Sequence, residues 1–249
     1  MIVELCGVPA AGKTTTARQL VYGLREYGHK AELISSYRPT ETNRSLGCVA
    51  SSVRRLVRPV WETLAAAGHV ISDEQHEHLV IELLRLFHLP GLFSSVRNGQ
   101  YLLRLHLAWE RAARSQHIVL FDQGFIQGLA ALMVLSRTAK WAAIERAFKC
   151  IPKPDLLIRV HAPEELLKAR LSKRRQRQSR FERLLELDLG SNLRFGPAVD
   201  VLCAIYDRQI APVIPVHTGD SVSRDAALAR IRRQAEGVRL VVCDDADAA

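Results

Sequence analysis

Gly7-Val8-Pro9-Ala10-Ala11-Gly12-Lys13-Thr14 breaks an apolar run with two glycines and sets a lysine and a threonine directly behind the second. The chemistry this spacing supports is anion binding. Glycines let a backbone curl until successive N–H groups converge, and a helix starting behind them adds the positive end of its dipole. Lys13 reaches the outer oxygens of a polyphosphate, and the Thr14 hydroxyl offers a hard oxygen to Mg²⁺. Ala10 and Ala11 are too small to block backbone approach. The segment fits the pattern G-x-x-x-x-G-K-S/T, so Gly7 to Thr15 are the candidate residues for binding a nucleoside triphosphate.

Two further groups could share that chemistry. Asp122 ends the apolar run Ile118-Val119-Leu120-Phe121, where a carboxylate can meet a metal directly or through water. A strand-end aspartate that caps the loop at Gly124 is the plainer alternative. The segment "KARLSKRRQRQSR" gathers Arg170, Lys173, Arg174, Arg175, Arg177 and Arg180 just beyond a strand. Ligands of open α/β sheets bind at that edge. A cationic lid over phosphates, a solvated helix end and a nucleic-acid patch all fit those residues. The segment "SSYRPTETNRS" holds Glu41, which with Asp122 is a candidate general base for a hydroxyl acceptor. A phosphate acceptor, already ionised, needs no base, and Arg38 or Arg44 would hold it.

The elements that must position these residues follow from periodicity. Ile2 to Cys6 reads as a strand. Ala17, Leu20, Val21, Leu24 and Tyr27 form a helical stripe ending at Gly28, and Ala31 to Ser35 is a second strand. Strand, helix and strand make a βαβ unit with a right-handed crossover and parallel strands. Residues 36–115 read as a helical insert over one end of the sheet, its helices separated by "GHVISD" and "LPGLFSSVRNG", either holding substrate or adding core. Alternation then resumes. "IVLF", "DLLIRVH" and "PVIPVH" are strands, and Gly128–Phe148, the segment after Pro163, Phe181–Gln209 and "RDAALARIRRQ" are helical. A break is expected near Gly190 to Pro197. The prediction is one three-layer α/β domain over 1–239, with a mainly parallel five-stranded sheet, a lid region over 170–197 and a loose tail at 240–249.

Bulk properties narrow the partners. A hydrophobic fraction of 48% over 249 residues supplies a sizeable core and excludes wholesale disorder. The net charge of +9 points to anionic partners, which include nucleotides, phosphorylated metabolites and nucleic acid. Five scattered cysteines without C-x-x-C read as reduced thiols of a cytoplasmic protein, with no secretory leader and no apolar run long enough to span a bilayer. Glu74-Gln75-His76-Glu77-His78 lacks H-E-x-x-H and reads as a solvated helix face rather than zinc. "LAWERAARSQH" lacks the recurring aromatic–basic pattern of a nucleic-acid platform.

Four segments together resemble the thymidylate kinase-like and deoxynucleoside kinase-like P-loop phosphotransferases, over about residues 1–235. They are "GVPAAGKTTTARQL" with "GHKAELIS", "HIVLFDQG", "PDLLIRVHAPEELLKARLSKRR" and "SRFERL". The resemblance implies ATP as phosphoryl donor and Mg²⁺ as cofactor. It makes Arg174 and Arg175 the leading lid arginines, places Arg170 near the base, and brings the loop of His217 near the adenine. Arg97, Gln100 and Arg104 fall where related kinases contact the acceptor. The chain departs from the family at Ser179, where aspartate is common. It departs again at Asp122-Gln123-Gly124, which lacks the arginine of D-R-Y, D-R-H or E-R-S and counts against dTMP as acceptor. The implied activity is transfer of the ATP γ-phosphoryl group to a small molecule, a nucleoside, nucleotide or similar hydroxyl compound. A homodimer is compatible with it. Phosphorylation of a polynucleotide 5′ end and slow ATP hydrolysis by a regulator are the alternatives.

Overall fold

A computed structural model describes residues 1–35, 74–136, 140–177 and 189–247, with no account of the side chains of 74–77, 92–93, 174–177, 189–193 and 238–247. Its strands are β1 (Ile2–Cys6), β2 (Ala31–Ile34), β3 (Ile118–Phe121), β4 (Leu156–His161) and β5 (Ile214–His217). Its helices are α1 (Lys13–Glu26), α2 (Glu74–Phe87), α3 (Leu92–Ala113), α4 (Phe125–Ser136), α5 (Trp141–Cys150), α6 (Glu164–Arg177), α7 (Leu189–Gln209) and α8 (Ser221–Asp247).

The strands form one sheet in the order β2-β3-β1-β4-β5, and every pairing is parallel. Parallel strands covered on both faces read as continuous apolar runs, as β3 does here and β1 does apart from Glu4. The strand alternation divides β1 between two cores. Ile2 and Cys6 join Phe121, Trp109 and Tyr206 on one face, while Val3 and Leu5 join Ala17, Leu20 and Leu24 of α1 and Ala227 and Ile231 of α8 on the other. The expected three-layer α/β fold is therefore present, and the sheet is wholly rather than mainly parallel.

Helix α1 closes as its glycine suggested. The Gly28 N–H donates to the Arg25 carbonyl at 3.0 Å and the His29 N–H to that of Leu24 at 3.0 Å, a Schellman ending. Of its apolar stripe, Tyr27 is the exception: it is 57% exposed, with the Arg232 guanidinium 3.7 Å above its ring.

Three local readings are corrected. Helix α3 starts at Leu92, so the segment up to Gly99 is helical rather than connecting; a Cβ on Gly99 would stand 3.2 Å from Leu84 of α2, and glycine permits that close packing. Of the two roles open for the insert, α2 and α3 fill the second: Leu83, Phe87, Leu102 and Trp109 add core beside Phe121 of β3 and Phe125 of α4. Trp109 lies 4.8 Å from the Phe121 ring and 5.3 Å, edge-on, from Phe125, contacts of about 1 kcal/mol each beyond the area they bury. Helix α7 runs unbroken through Pro197, held by Phe195, Val199, Leu202 and Tyr206 on the apolar core. Helix α8 continues to Asp247, through most of the segment read as a loose tail.

Candidate functional site

The loop from Gly7 to Gly12 leaves β1 at the C-terminal edge of the sheet, between β3 and β4. Its shape demands its glycines. Gly7 has φ 152°, and a Cβ there would stand 2.6 Å from the Val160 carbonyl oxygen. Gly12 has φ 97° and caps α1 without a side chain of its own. Ala10 also adopts a positive φ, 69°, a conformation that costs an alanine about 1 kcal/mol and that neighbouring contacts must hold.

Those contacts engage the loop's carbonyls from two sides. Lys13 is 6% exposed, and its Nζ donates to the carbonyls of Gly7 at 2.8 Å and Val8 at 3.0 Å. Arg170 Nη1 donates to the Ala10 carbonyl at 3.1 Å, and the Thr218 hydroxyl donates to that of Ala11. Arg170 comes from α6 and Thr218 from the end of β5, and both lie against Gly12. A loop whose oxygens are occupied by lysine, arginine and threonine meets an anion with its N–H groups and with the positive end of α1.

Asp122 lies at the exit of β3, beside the first turn of α1. The Thr14 hydroxyl donates to its Oδ2 at 2.7 Å, and the carboxylate is 2% exposed. Two hard oxygens side by side at a helix N-terminus suit Mg²⁺, which takes one or two protein oxygens and fills its octahedron with water and phosphate. The donor set therefore fits the metal expected there. Thr15, also a sequence candidate, is exposed on the next position of α1.

Beneath this edge lies a polar floor. Glu4 of β1 is fully buried, its Oε1 accepts the Gln127 N–H at 2.9 Å, and Oε2 has no partner. Burial raises its carboxyl to a pKa of about 7, against the pull of N–H groups at the start of α4. Tyr101 of α3 lies close enough to feel Glu4, Asp122 and Arg104. Burial and the two carboxyl groups push its phenol upward, and the Arg104 charge opposes them. At the neighbouring strand ends, His161 and His217 stack with ring centres 5.2 Å apart. Burial, Arg159 and His217 lower the pKa of His161 and favour its neutral form.

The structure thus brings together Gly7 to Thr14, Asp122 and Arg170. Arg104 belongs to the Tyr101 side of this floor, Gln100 is half-buried on α3, and Arg97 is exposed there. Arg174 and Arg175 belong to the last turns of α6, but their side chains lie outside the described ones; Arg38, Glu41 and Arg44 fall outside the described residues altogether. Sequence reasoning missed Glu4, Tyr101, Gln127 and Thr218. Only Glu4 carried a usable signal, as the lone charge in an otherwise apolar strand.

Among the described residues no group of three or more His, Cys, Asp or Glu side chains could hold a metal, and no helix is long and apolar enough to cross a membrane. His78 is exposed, as a solvated helix face requires, and Trp109 is 5% exposed, within the core. Cys6, Cys150 and Cys203 are free thiols.

No family model matches the chain, and no curated protein matches it. Among solved structures the chain is similar to deoxyadenosine kinase from M. mycoides with bound dCTP, at 11% identity and a TM-score of 0.48, over 94% of this chain and 100% of that one. It is similar, at 10% identity and the same TM-score and coverage, to that kinase with dCMP and a flexible dCDP bound.

Proposed function

We propose that the chain is an ATP-dependent phosphotransferase that moves the γ-phosphoryl group to a small hydroxyl compound, a nucleoside or nucleotide in particular. The observation that carries this reading is the pairing of Thr14 with Asp122 at 2.7 Å beside a loop whose carbonyls are engaged by Lys13. That arrangement supplies N–H donors, a buried ammonium and two oxygen ligands around one point.

In this reading the loop amides and the α1 N-terminus cradle the β-phosphate, and Lys13 neutralises charge on the outer oxygens as transfer proceeds. Mg²⁺, held by Thr14 and Asp122, would screen the phosphates and orient the γ-phosphoryl group. Arg170 keeps the loop curled through the Ala10 carbonyl and lies on the donor side, with Arg174 and Arg175 further along α6 as the lid. The acceptor enters from the side of α3, where Tyr101 and Arg104 accompany Asp122. Asp122 or Glu41 would take the hydroxyl proton.

The test is incubation with γ-labelled ATP, Mg²⁺ and a panel of nucleosides, nucleotides and hydroxyl metabolites, read by mass. Label on one of those compounds supports the kinase; label on free phosphate alone favours a regulatory ATPase. The +9 charge motivates the polynucleotide alternative, whose binding must weaken steeply with salt. Lys13→Ala should lower transfer at least about a hundredfold while the melting temperature stays within a few degrees. An unchanged rate would remove Lys13 from phosphate binding.

A further inference from the structure

Gln127 has no part in the chemistry proposed above, yet it touches the loop at its origin. The side chain lies in the first turn of α4 and is 5% exposed. Its Oε1 accepts the Gly7 N–H at 2.9 Å, across 120 residues of sequence. The backbone N–H of the same residue donates to Glu4 Oε1 at 2.9 Å. Glu4 is also pressed against Gly124, where a Cβ would stand 2.5 Å from its carboxyl carbon. The carboxyl of β1 therefore fixes the first turn of α4, and that turn fixes the peptide at which β1 becomes the loop.

Lys13 grips the two peptides that follow, through the Gly7 carbonyl at 2.8 Å and that of Val8 at 3.0 Å. An ammonium has three donors. With two of them on these carbonyls, bonding more than one phosphate oxygen means giving up a carbonyl. The Gly7 peptide then keeps the Gln127 tether while the lysine turns to the ligand.

We infer that Gln127 is a positioning residue for the loop, holding Gly7 in its curled conformation while Lys13 engages phosphate, with Glu4 as its anchor. The inference rests on reading the loop as a triphosphate site. Its physical content is preorganisation: a loop already in shape loses less free energy to ordering when the ligand arrives.

Gln127→Met keeps the length and bulk of the side chain and removes the acceptor. Two measurements apply, hydrogen exchange at the Gly7 amide and calorimetric affinity for a non-hydrolysable ATP analogue with Mg²⁺. Exchange should quicken at least tenfold and affinity should fall roughly tenfold, the scale of one lost buried hydrogen bond, with the melting temperature little moved. Gln127→Glu keeps an acceptor and should restore the protection of Gly7. Gln127→Asn, which withdraws the acceptor by one methylene, replaces the Met variant if that one fails to fold. Unchanged affinity in a folded variant, whatever its exchange, overturns the inference and leaves the triphosphate reading standing. Absence of triphosphate binding by the unmodified protein overturns that reading and the inference with it, and unaltered Gly7 exchange still distinguishes a tether that does not exist.

Discussion

A Cβ on Gly124 would stand 2.5 Å from the carboxyl carbon of Glu4, and 2.5 Å from its Oε2. The contact joins the middle of β1 to the turn between β3 and α4, and neither partner has room to retreat because Glu4 is fully buried. Gly124→Ala should therefore destabilise the protein by about 1–3 kcal/mol, the usual range for overpacking. That corresponds to a melting temperature lower by several degrees. Adding Glu4→Ala should return part of the loss, because it removes the atoms that clash. Equal melting temperatures for Gly124→Ala and the unmodified chain would refute the contact.

The same carboxyl makes stability depend on pH. Burial raises the folded-state pKa of Glu4 from 4.5 to about 7. Below 4.5 both the folded and unfolded chains hold the proton. Between 4.5 and 7 the unfolded chain releases it first, so the contribution of Glu4 to stability falls as pH rises, and it levels off above 7. The full difference is on the order of 3 kcal/mol. Glu4→Gln cannot ionise, so its stability relative to the unmodified protein should improve from pH 5 to about pH 7 and level off above it. Denaturant midpoints taken across that range give the comparison, and a gap independent of pH would contradict the assignment.

Thr14 donates its hydroxyl to Asp122 at 2.7 Å, so a change at either residue alters the oxygen pair that would hold Mg²⁺ in the proposed reading. Thr14→Val preserves shape and removes one oxygen. The Mg²⁺ concentration needed for half-maximal transfer should rise by roughly ten- to a hundredfold, the range seen when groups that position a metal are lost. Thr14→Ser should remain near the original value. A magnesium titration that the Val variant leaves unshifted would exclude the pair from metal binding.

Arg159 of β4 is 7% exposed and donates through Nη2 to Asp200 Oδ1 of α7 at 2.6 Å, while its Nε and Nη1 are buried without partners. Asp200→Ala leaves the cation unpaired. We expect a loss of about 2 kcal/mol, less than for a fully enclosed pair because the Asp200 side chain is 63% exposed. Replacing both residues with apolar ones, as in Arg159→Met with Asp200→Leu, should restore most of it. Chemical denaturation of the single and double variants measures the difference.

Residues 7–14 and Asp122 were legible because their signals are local. A glycine, a lysine and a threonine at fixed spacing, between an apolar run and a helical stripe, can be recognised without knowing what packs on them. Strand alternation was legible for the same reason, since buried parallel strands are short and apolar whatever their order. Helix α7 shows the limit. Pro197 signals a break locally, yet the apolar face packed on the sheet outweighs the missing hydrogen bond.

What only the tertiary structure decided is which side chains hold the loop. Gln127, Arg170 and Thr218 reach it from 120, 160 and 207 residues away, and no spacing rule spans such distances. Glu4 could be seen as a charge inside an apolar strand, but its meaning depended on Gly124 and Gln127 lying above it. The sequence alone determined a parallel α/β sheet with a glycine-rich turn at one edge, because backbone conformation and burial pattern are local consequences of residue type. The packing of α4, α6 and the end of β5 decided how that turn is held, because hydrogen bonds between remote elements form only once the two hydrophobic cores have set the elements side by side.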